Sequence, residues 1–564
     1  MPHPSRGHLT RPGIPPLLRR LPALLPALLL PGAASGQLVG GPIVPSGHLR
    51  LDIDANYVTW SERFGLRSEG GSPVEEVEPL GWNLSSDALG SDRLPGAALT
   101  EARLRTLFAN PDYRFNLGST SHLFAAHIRR VPLGFRLGVF PWLTVGASLP
   151  MVQRKLDSEL VYTPGEANAG LAPPASLRAP FMNEYGNALA EARTVIAGLC
   201  GVDESAPECQ AGRAVLAEGD ALLGSLGALF GEAIFFPLEG SAAGRDLAGR
   251  VDAVRTGLSD IGVTTFTAPL PLGTPLDRAG FDSLVVVPVF GTTGLPVEDM
   301  DALWEPGDLE VSAAIQVLNL TPRPPDLPGP GEAADSLAAS EQDSGGGFRV
   351  RLGVAGTLRL GTGSPQDTLR EFLDMEVAEG QMDIEARAFG GVDWARRVGL
   401  TFDVRYGVAS PVYVRRRVGP PDMGFAPRPP LETVQWQPGN YLEYAITPQL
   451  LLTPQLAVGF VYRSFSRAAD SFAGEAADLA ALSLETEAEV RSMGLDVRYS
   501  SFLAGGFPVV ARFGWEAARS GAGGRTPRTG RVHFGASLFW RLWGGGRQPP
   551  DEAAPTPVGA RPGR

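Results

Sequence analysis

Apolar and polar residues alternate one by one along much of this chain. In the stretch 531–543, Val532, Phe534, Ala536, Leu538, Trp540 and Leu542 share one face, while Arg531, His533, Gly535, Ser537, Phe539 and Arg541 share the other. A period of two is a strand, and two faces this different meet two different surroundings. The apolar face ends in Trp540 and Trp543, side chains suited to a membrane–water boundary. The same alternation recurs at 47–60, 123–140, 143–151, 308–318, 350–360, 382–388, 400–408, 442–446, 456–462, 493–499 and 509–515. It predicts about twelve antiparallel strands, an even number, as in single-chain bacterial barrels.

The connections sort themselves by length. Those at Pro141, 396–399, 453–454 and 503–507 are short, whereas those starting near Gly65, Asp157, Gly361, Gly419, Arg467 and Ser520 are long. Short turns on one side and long loops on the other fit a barrel crossing a membrane, and a soluble sandwich has no reason to sort them so. The connector 321–347, rich in Pro, Gly, Ala and acids, is the exception on the short side. Between Asp157 and Gly307 the alternation gives way to a helical period. Segments 183–199 and 210–230 read as helices, and 246–261 has Leu247, Val251, Val254, Leu258 and Ile261 at helical spacing. A weaker helical pattern covers 99–107 inside the first long loop.

The fold class is therefore an all-β transmembrane barrel of about twelve antiparallel strands with an α-helical insertion in one long extracellular loop. The expected organisation is a signal peptide over 1–36, first barrel strands with a long loop over 37–156, and a mostly helical insertion over 157–307. The remaining strands fill 308–543 and a disordered tail fills 544–564. The insertion carries Leu222, Leu223, Leu226, Leu229, Phe230, Ile234, Phe235 and Phe236, apolar surface that needs cover, so it reads as a cap or a plug.

Composition agrees. Hydrophobic residues make up 43% of 564 and mean hydropathy is near zero, and no run beyond the N-terminus has the roughly twenty apolar residues of a membrane helix. A formal charge of −12 argues against nucleic acid as a partner. Arg19 and Arg20 precede the short apolar run 21–30, and Ala33, Ala34, Ser35 and Gly36 follow, which is a secretory layout. In an exported chain, Cys200 and Cys209 pair naturally as a disulfide.

Two groups of residues resemble a known family. His533, Gly535, Leu538 and Trp540 resemble the terminal signal of Gram-negative outer-membrane barrels, although here a tail follows it. Gly361 to Pro365 and Gly380 to Ile384 resemble loop-and-strand motifs of outer-membrane transporters of the phenol meta-pathway type. The resemblance implies an outer-membrane location, outer-membrane lipids and the outer-membrane assembly machinery as partners, and small solutes, hydrophobic or aromatic ones among them, as cargo.

Candidate chemistry is thin. Asp52, Asp54 and Asn56 imitate the start of a calcium loop, but Tyr57 stands where that turn needs glycine and Arg63 where it needs glutamate. His122 and His127 lie on one strand with no evident serine partner. No cofactor or metal is expected, and no enzymatic activity. The polar strand faces supply the lumen-lining set: Arg50, Asp52, Asp54, Glu310, Arg349, Arg351, Asp383, Glu385, Arg387, Asp403, Arg405, Glu443, Asp496, Arg498, Arg512 and Glu516. Opposite charges on neighbouring strands pair, and a lining of both signs speaks against strong ion selectivity. The expected function is passive passage of small solutes through an outer-membrane channel. A structural or adhesive barrel and a barrel hydrolase are the alternatives.

Overall fold

The structure, a computed structural model, describes residues 41–69, 72–290, 300–301, 303–320, 349–363, 380–394, 397–419, 424–453, 455–475, 478–501 and 508–543. The leader 1–36, the connector 321–347, Ser364 and Pro365 of the loop motif, and the tail 544–564 lie outside them.

Twelve long strands carry the fold. They are β1 (His48–Trp60), β2 (Ser119–Phe140), β3 (Leu143–Thr163), β4 (Leu309–Asn319), β5 (Arg349–Leu360) and β6 (Asp383–Trp394), then β7 (Val398–Ala409), β8 (Tyr441–Leu451), β9 (Leu456–Arg467), β10 (Ala488–Ser500), β11 (Val509–Ala522) and β12 (Gly530–Arg541). Each pairs antiparallel with the next, and β12 pairs with β1, so the sheet closes. Closure removes every sheet edge, which is what lets strands cross lipid.

Register puts the two sequence faces on two sides of the wall. Leu51 lies opposite Phe135 and Leu538, while its neighbour Arg50 lies opposite Arg136 and Phe539. Ile53, Phe135, Ile384, Val404, Phe513 and Phe534 are 36–58% exposed, whereas Arg50, Asp52, Asp496 and Glu516 are 3–6% exposed. This inverts a soluble protein, where large apolar groups go inside and charges stay out. The outer wall is therefore the lipid-facing side. Trp142, Trp394 and Trp543 mark its edge at the short turns, and Tyr57, Tyr406 and Trp515 its edge at the long loops. From Val398 to Tyr406 a strand rises about 26 Å, or about 20 Å along the normal at a 40° tilt, close to the ~25 Å apolar band of such barrels.

Three differences from the sequence reading concern length and local structure. β3 continues to Thr163, past the expected break at Asp157, because the residues of its inward parity, Leu156, Ser158, Leu160 and Tyr162, stay buried beyond the lumen, under the loops. The first long loop contains a hairpin, Glu62–Glu69 paired with Ser72–Pro79, before helix α1 (Ala98–Phe108). Two strands of the β7–β8 connection, Val412–Arg417 and Leu431–Gln437, form a small sheet with Ser471–Ala473 of the β9–β10 connection.

The insertion is helical as its period predicts: α2 (Ala175–Val202), α3 (Pro207–Glu232) and α4 (Ala242–Asp260). Pro207 opens α3, where its missing N–H costs nothing, and Ser241 caps α4 by accepting from Gly244 N at 2.9 Å. Cys200 and Cys209 form a disulfide across the α2–α3 turn, with Cα atoms 5.0 Å apart. Leu189, Leu222, Leu226, Leu247, Val251 and Leu258 bury one shared core, which extends to Leu104 and Leu107 of α1. The helices thus pack on one another and on α1.

A second core lies between these helices and the barrel. Leu84, Phe115, Leu160, Tyr162, Phe281 and Phe425 are all buried in it. Tyr162 and Phe281 stack at 4.3 Å between ring centroids, and Phe281 meets Phe425 edge-on at 5.8 Å. Tyr162 stands on β3 and Phe425 on the β7–β8 connection, so this aromatic line crosses the loop-side mouth as a roof.

Candidate solute pathway

Strand parity aims the inward side chains, and neighbouring strands then bring opposite charges together. On one wall a ladder runs through Arg387, Asp403, Arg405, Glu443, Arg463 and Glu516. Arg387 and Arg405 donate to Asp403 at 2.7 and 2.9 Å, and Arg463 reaches Glu443 at 2.5 Å and Glu516 at 2.9 Å. Nearer the loops, Arg359 lies 3.2 Å from Glu310 and 3.1 Å from Glu385, with Asp383 at 3.8 Å, and Arg130 contacts Glu310 at 3.1 Å. Tyr441 donates to Glu385 at 2.5 Å. Towards the short turns, Asp52 holds Arg50 at 2.9 Å and Arg136 at 3.5 Å and accepts from Ser537 at 2.6 Å. Asp496 gathers Arg512 at 2.7 Å, His533 at 3.4 Å and Arg498 at 3.8 Å. Asp54 sits opposite Gly535, where a Cβ would come within 2.2 Å of its carboxylate. Arg349 pairs in register with Asp393, and Arg351 lies two residues along the same face.

Side-chain length decides what this lining presents to water. The carboxylates of Asp52, Asp496 and Glu516 are 4–8% exposed, held against the wall, while Arg405 and Arg512 are 34% and 45% exposed. Arg50 and Arg498, 4% and 13% exposed, are drawn in with their acids, whereas Arg405 and Arg512 reach past theirs on their longer stems. Accessible arginines inside a closed wall mean that the lumen holds water.

Both ends of this space are narrowed. The roof covers the loop side. At the other end the chain ahead of β1 turns inward: Val44 N donates to Thr144 Oγ1 at 2.8 Å, and Arg50 donates to the Gly41 carbonyl at 2.7 Å. Val44 is fully buried there, and Gly138 has no side chain because a Cβ would come within 2.0 Å of the Pro45 carbonyl.

The sixteen residues named from sequence lie on one strand parity, but several of their partners were absent from that set. Arg463 fell beyond the expected end of β9, and Arg136 was passed over between Phe135 and Leu137, although strict parity points to both. Asp393 and Gln449 lie near strand ends that the alternation left ragged. The histidine reading also needs correction. His122 Nε2 lies 3.0 Å from Ser158 Oγ, a pair made when the long β2–β3 hairpin folds. Both residues are at most 4% exposed beneath the loops, so an ester has no route to that oxygen. His127 is held by Tyr57, Thr59 and Asp157 at 2.8–3.0 Å. Among the described residues no cluster of three or more His, Cys, Asp or Glu is arranged to hold a metal.

A closed twelve-stranded barrel with an apolar wall, aromatic girdles and a charged interior is a transmembrane β-barrel of the outer-membrane type. No family model and no curated protein matches the chain. Solved structures similar to it include an outer membrane channel from Pseudomonas putida F1, at 7% identity and TM-score 0.37, covering 90% of this chain and all of that one. The translocator domain of the autotransporter NalP from Neisseria meningitidis, at 7% identity and TM-score 0.26, covers 88% and 89%. The P. putida toluene transporter TodX, at 10% identity and TM-score 0.24, covers 90% and 95%. Likenesses this remote carry neither cargo nor mechanism to this chain.

Proposed function

We propose that the protein is a channel for passive passage of small solutes across the outer membrane of a Gram-negative bacterium. One observation carries the reading: arginines half-exposed within a closed wall, which make a continuous wet, polar interior. Closure satisfies the backbone in lipid, and lumen side chains filter what enters. The ion-paired lining favours polar solutes over hydrocarbons, since an apolar solute would strip water from charges and give nothing back. An adhesive barrel would have no use for accessible guanidiniums in its interior.

The test is conductance in planar bilayers, using protein whose folding is verified by heat-modifiable migration on a gel. Discrete current steps are the expected result. Folded barrel that inserts and passes no current under any applied voltage sinks the channel reading and leaves the loops as the working surface.

A further inference from the structure

The short-turn end of the lumen gathers more cationic than anionic side chains. Arg349 and Arg351 at the start of β5 face Asp393 at the end of β6. Arg498 at the end of β10 and Arg512 at the start of β11 share the single carboxylate of Asp496. These two groups stand four strands apart on the wall, both at the short-turn end. The chain ahead of β1, turned inward with Val44 fully buried and Gly41 held by Arg50, narrows the passage at this end.

Polar atoms here are also unspent. Arg351 Nε and Gln449 Nε2 are buried donors and Asp393 Oδ1 a buried acceptor without hydrogen-bond partners among the described residues. Gln449 and Asp393 lie over Gly399, where a Cβ would come within 2.6 Å of Gln449 Nε2 and 2.8 Å of Asp393 Oδ1. Glycine at that point keeps the space between them clear. Four guanidiniums, Arg349, Arg351, Arg498 and Arg512, against the carboxylates of Asp393 and Asp496 form an environment whose natural complement is a negative charge. The chain as a whole carries −12, so this local excess is set against the overall balance.

We propose that this constriction is an anion filter, with Arg351, Gln449, Arg498 and Arg512 as the groups that meet a small permeating anion such as chloride or a short-chain carboxylate. The inference rests on the channel reading. The sequence displays both signs in nearly matched number. Folding sets Asp496 back against the wall, 4% exposed, and leaves Arg512, 45% exposed, to face the ion, so selectivity follows reach, not composition.

The experiment is the reversal potential of the full-length protein in planar bilayers under a potassium chloride gradient, repeated with potassium acetate. Wild type should reverse towards the anion's equilibrium potential. Arg351→Gln combined with Arg512→Gln should move reversal towards potassium, and Asp393→Asn, nearly isosteric, should move it further towards the anion. Arg129→Gln on the outer wall should leave it where it was. Current with no preference for the anion, or a preference that neither lumen variant moves, overturns the filter while the channel stands. Absence of current in folded wild type overturns the channel and the filter with it.

Discussion

Single residues show how much depends on geometry that composition does not carry. Glu184 on α2 accepts from the backbone amides of Thr267 and Ala268, the latter at 2.6 Å, and thereby ties the strap after α4 to the helical bundle. Those two N–H donors hold its carboxyl below the usual carboxylate range. A depressed folded value means that the tie is at full strength above the unfolded value of about 4.5 and is lost as pH falls through the folded value. Hydrogen-exchange protection of the Thr267 and Ala268 amides should therefore fall between neutral pH and pH 3, after correction for intrinsic rates. In Glu184→Gln it should be weak throughout. Protection that is flat with pH in the wild type would remove the carboxylate from this role. Nothing in the sequence around Glu184 marks it, since its partners lie more than eighty residues away.

At the scale of elements the alternation is the strongest signal, and it admits a direct test. Val404 and Thr401 lie on the same strand, β7, on opposite parity, Val404 36% exposed on the outer wall and Thr401 opposite Gly391 and Thr447 within. Val404→Arg should cost about 2–4 kcal/mol of folding stability in lipid if the position is near the midplane. Thr401→Arg should cost less, because the lumen holds water. Urea titration into and out of lipid vesicles reads both, and equal losses would count against the assigned faces. Every long strand was legible from parity, with ends off by a few residues where apolar neighbours thinned, as after Tyr462 in β9, and by twelve in β3, expected to end at Met151 and ending at Thr163. The hairpin at Glu62–Pro79 was not legible. Its strands show no sustained alternation, and Phe64, buried opposite Val77, and Arg63 pair with Thr526 and Pro527 from the far end of the chain.

At the scale of the molecule the loops form two layers, and the layers predict different outcomes. The sequence reading made the helical insertion a cap or a plug. Its helices bury their apolar faces against each other and α1, the packing of a cap, and the aromatic contacts of Tyr162, Phe281 and Phe425 belong to a second, separate core. Replacing 175–260 with a Gly/Ser linker should then leave conductance near that of the parent. Phe281→Ala with Phe425→Ala, which cuts the roof, should raise it. A large rise from the helix deletion alone would return the helices to the pathway.

The sequence by itself determined the barrel, its strand count, the sides on which loops are long, the helical insertion and the pairing of Cys200 with Cys209. These follow from local rules: a period of two, a period of 3.6, turn chemistry and proximity along the chain. Only the tertiary structure decided which acid each arginine binds, because those pairs join strands set side by side by closure and register. It alone put Ser158 against His122, sent Val44 into the lumen and joined Phe281 to Phe425 across the mouth. The reason is physical: parity says which side of a wall a side chain faces, but what it meets there depends on chain that returns from tens to hundreds of residues away.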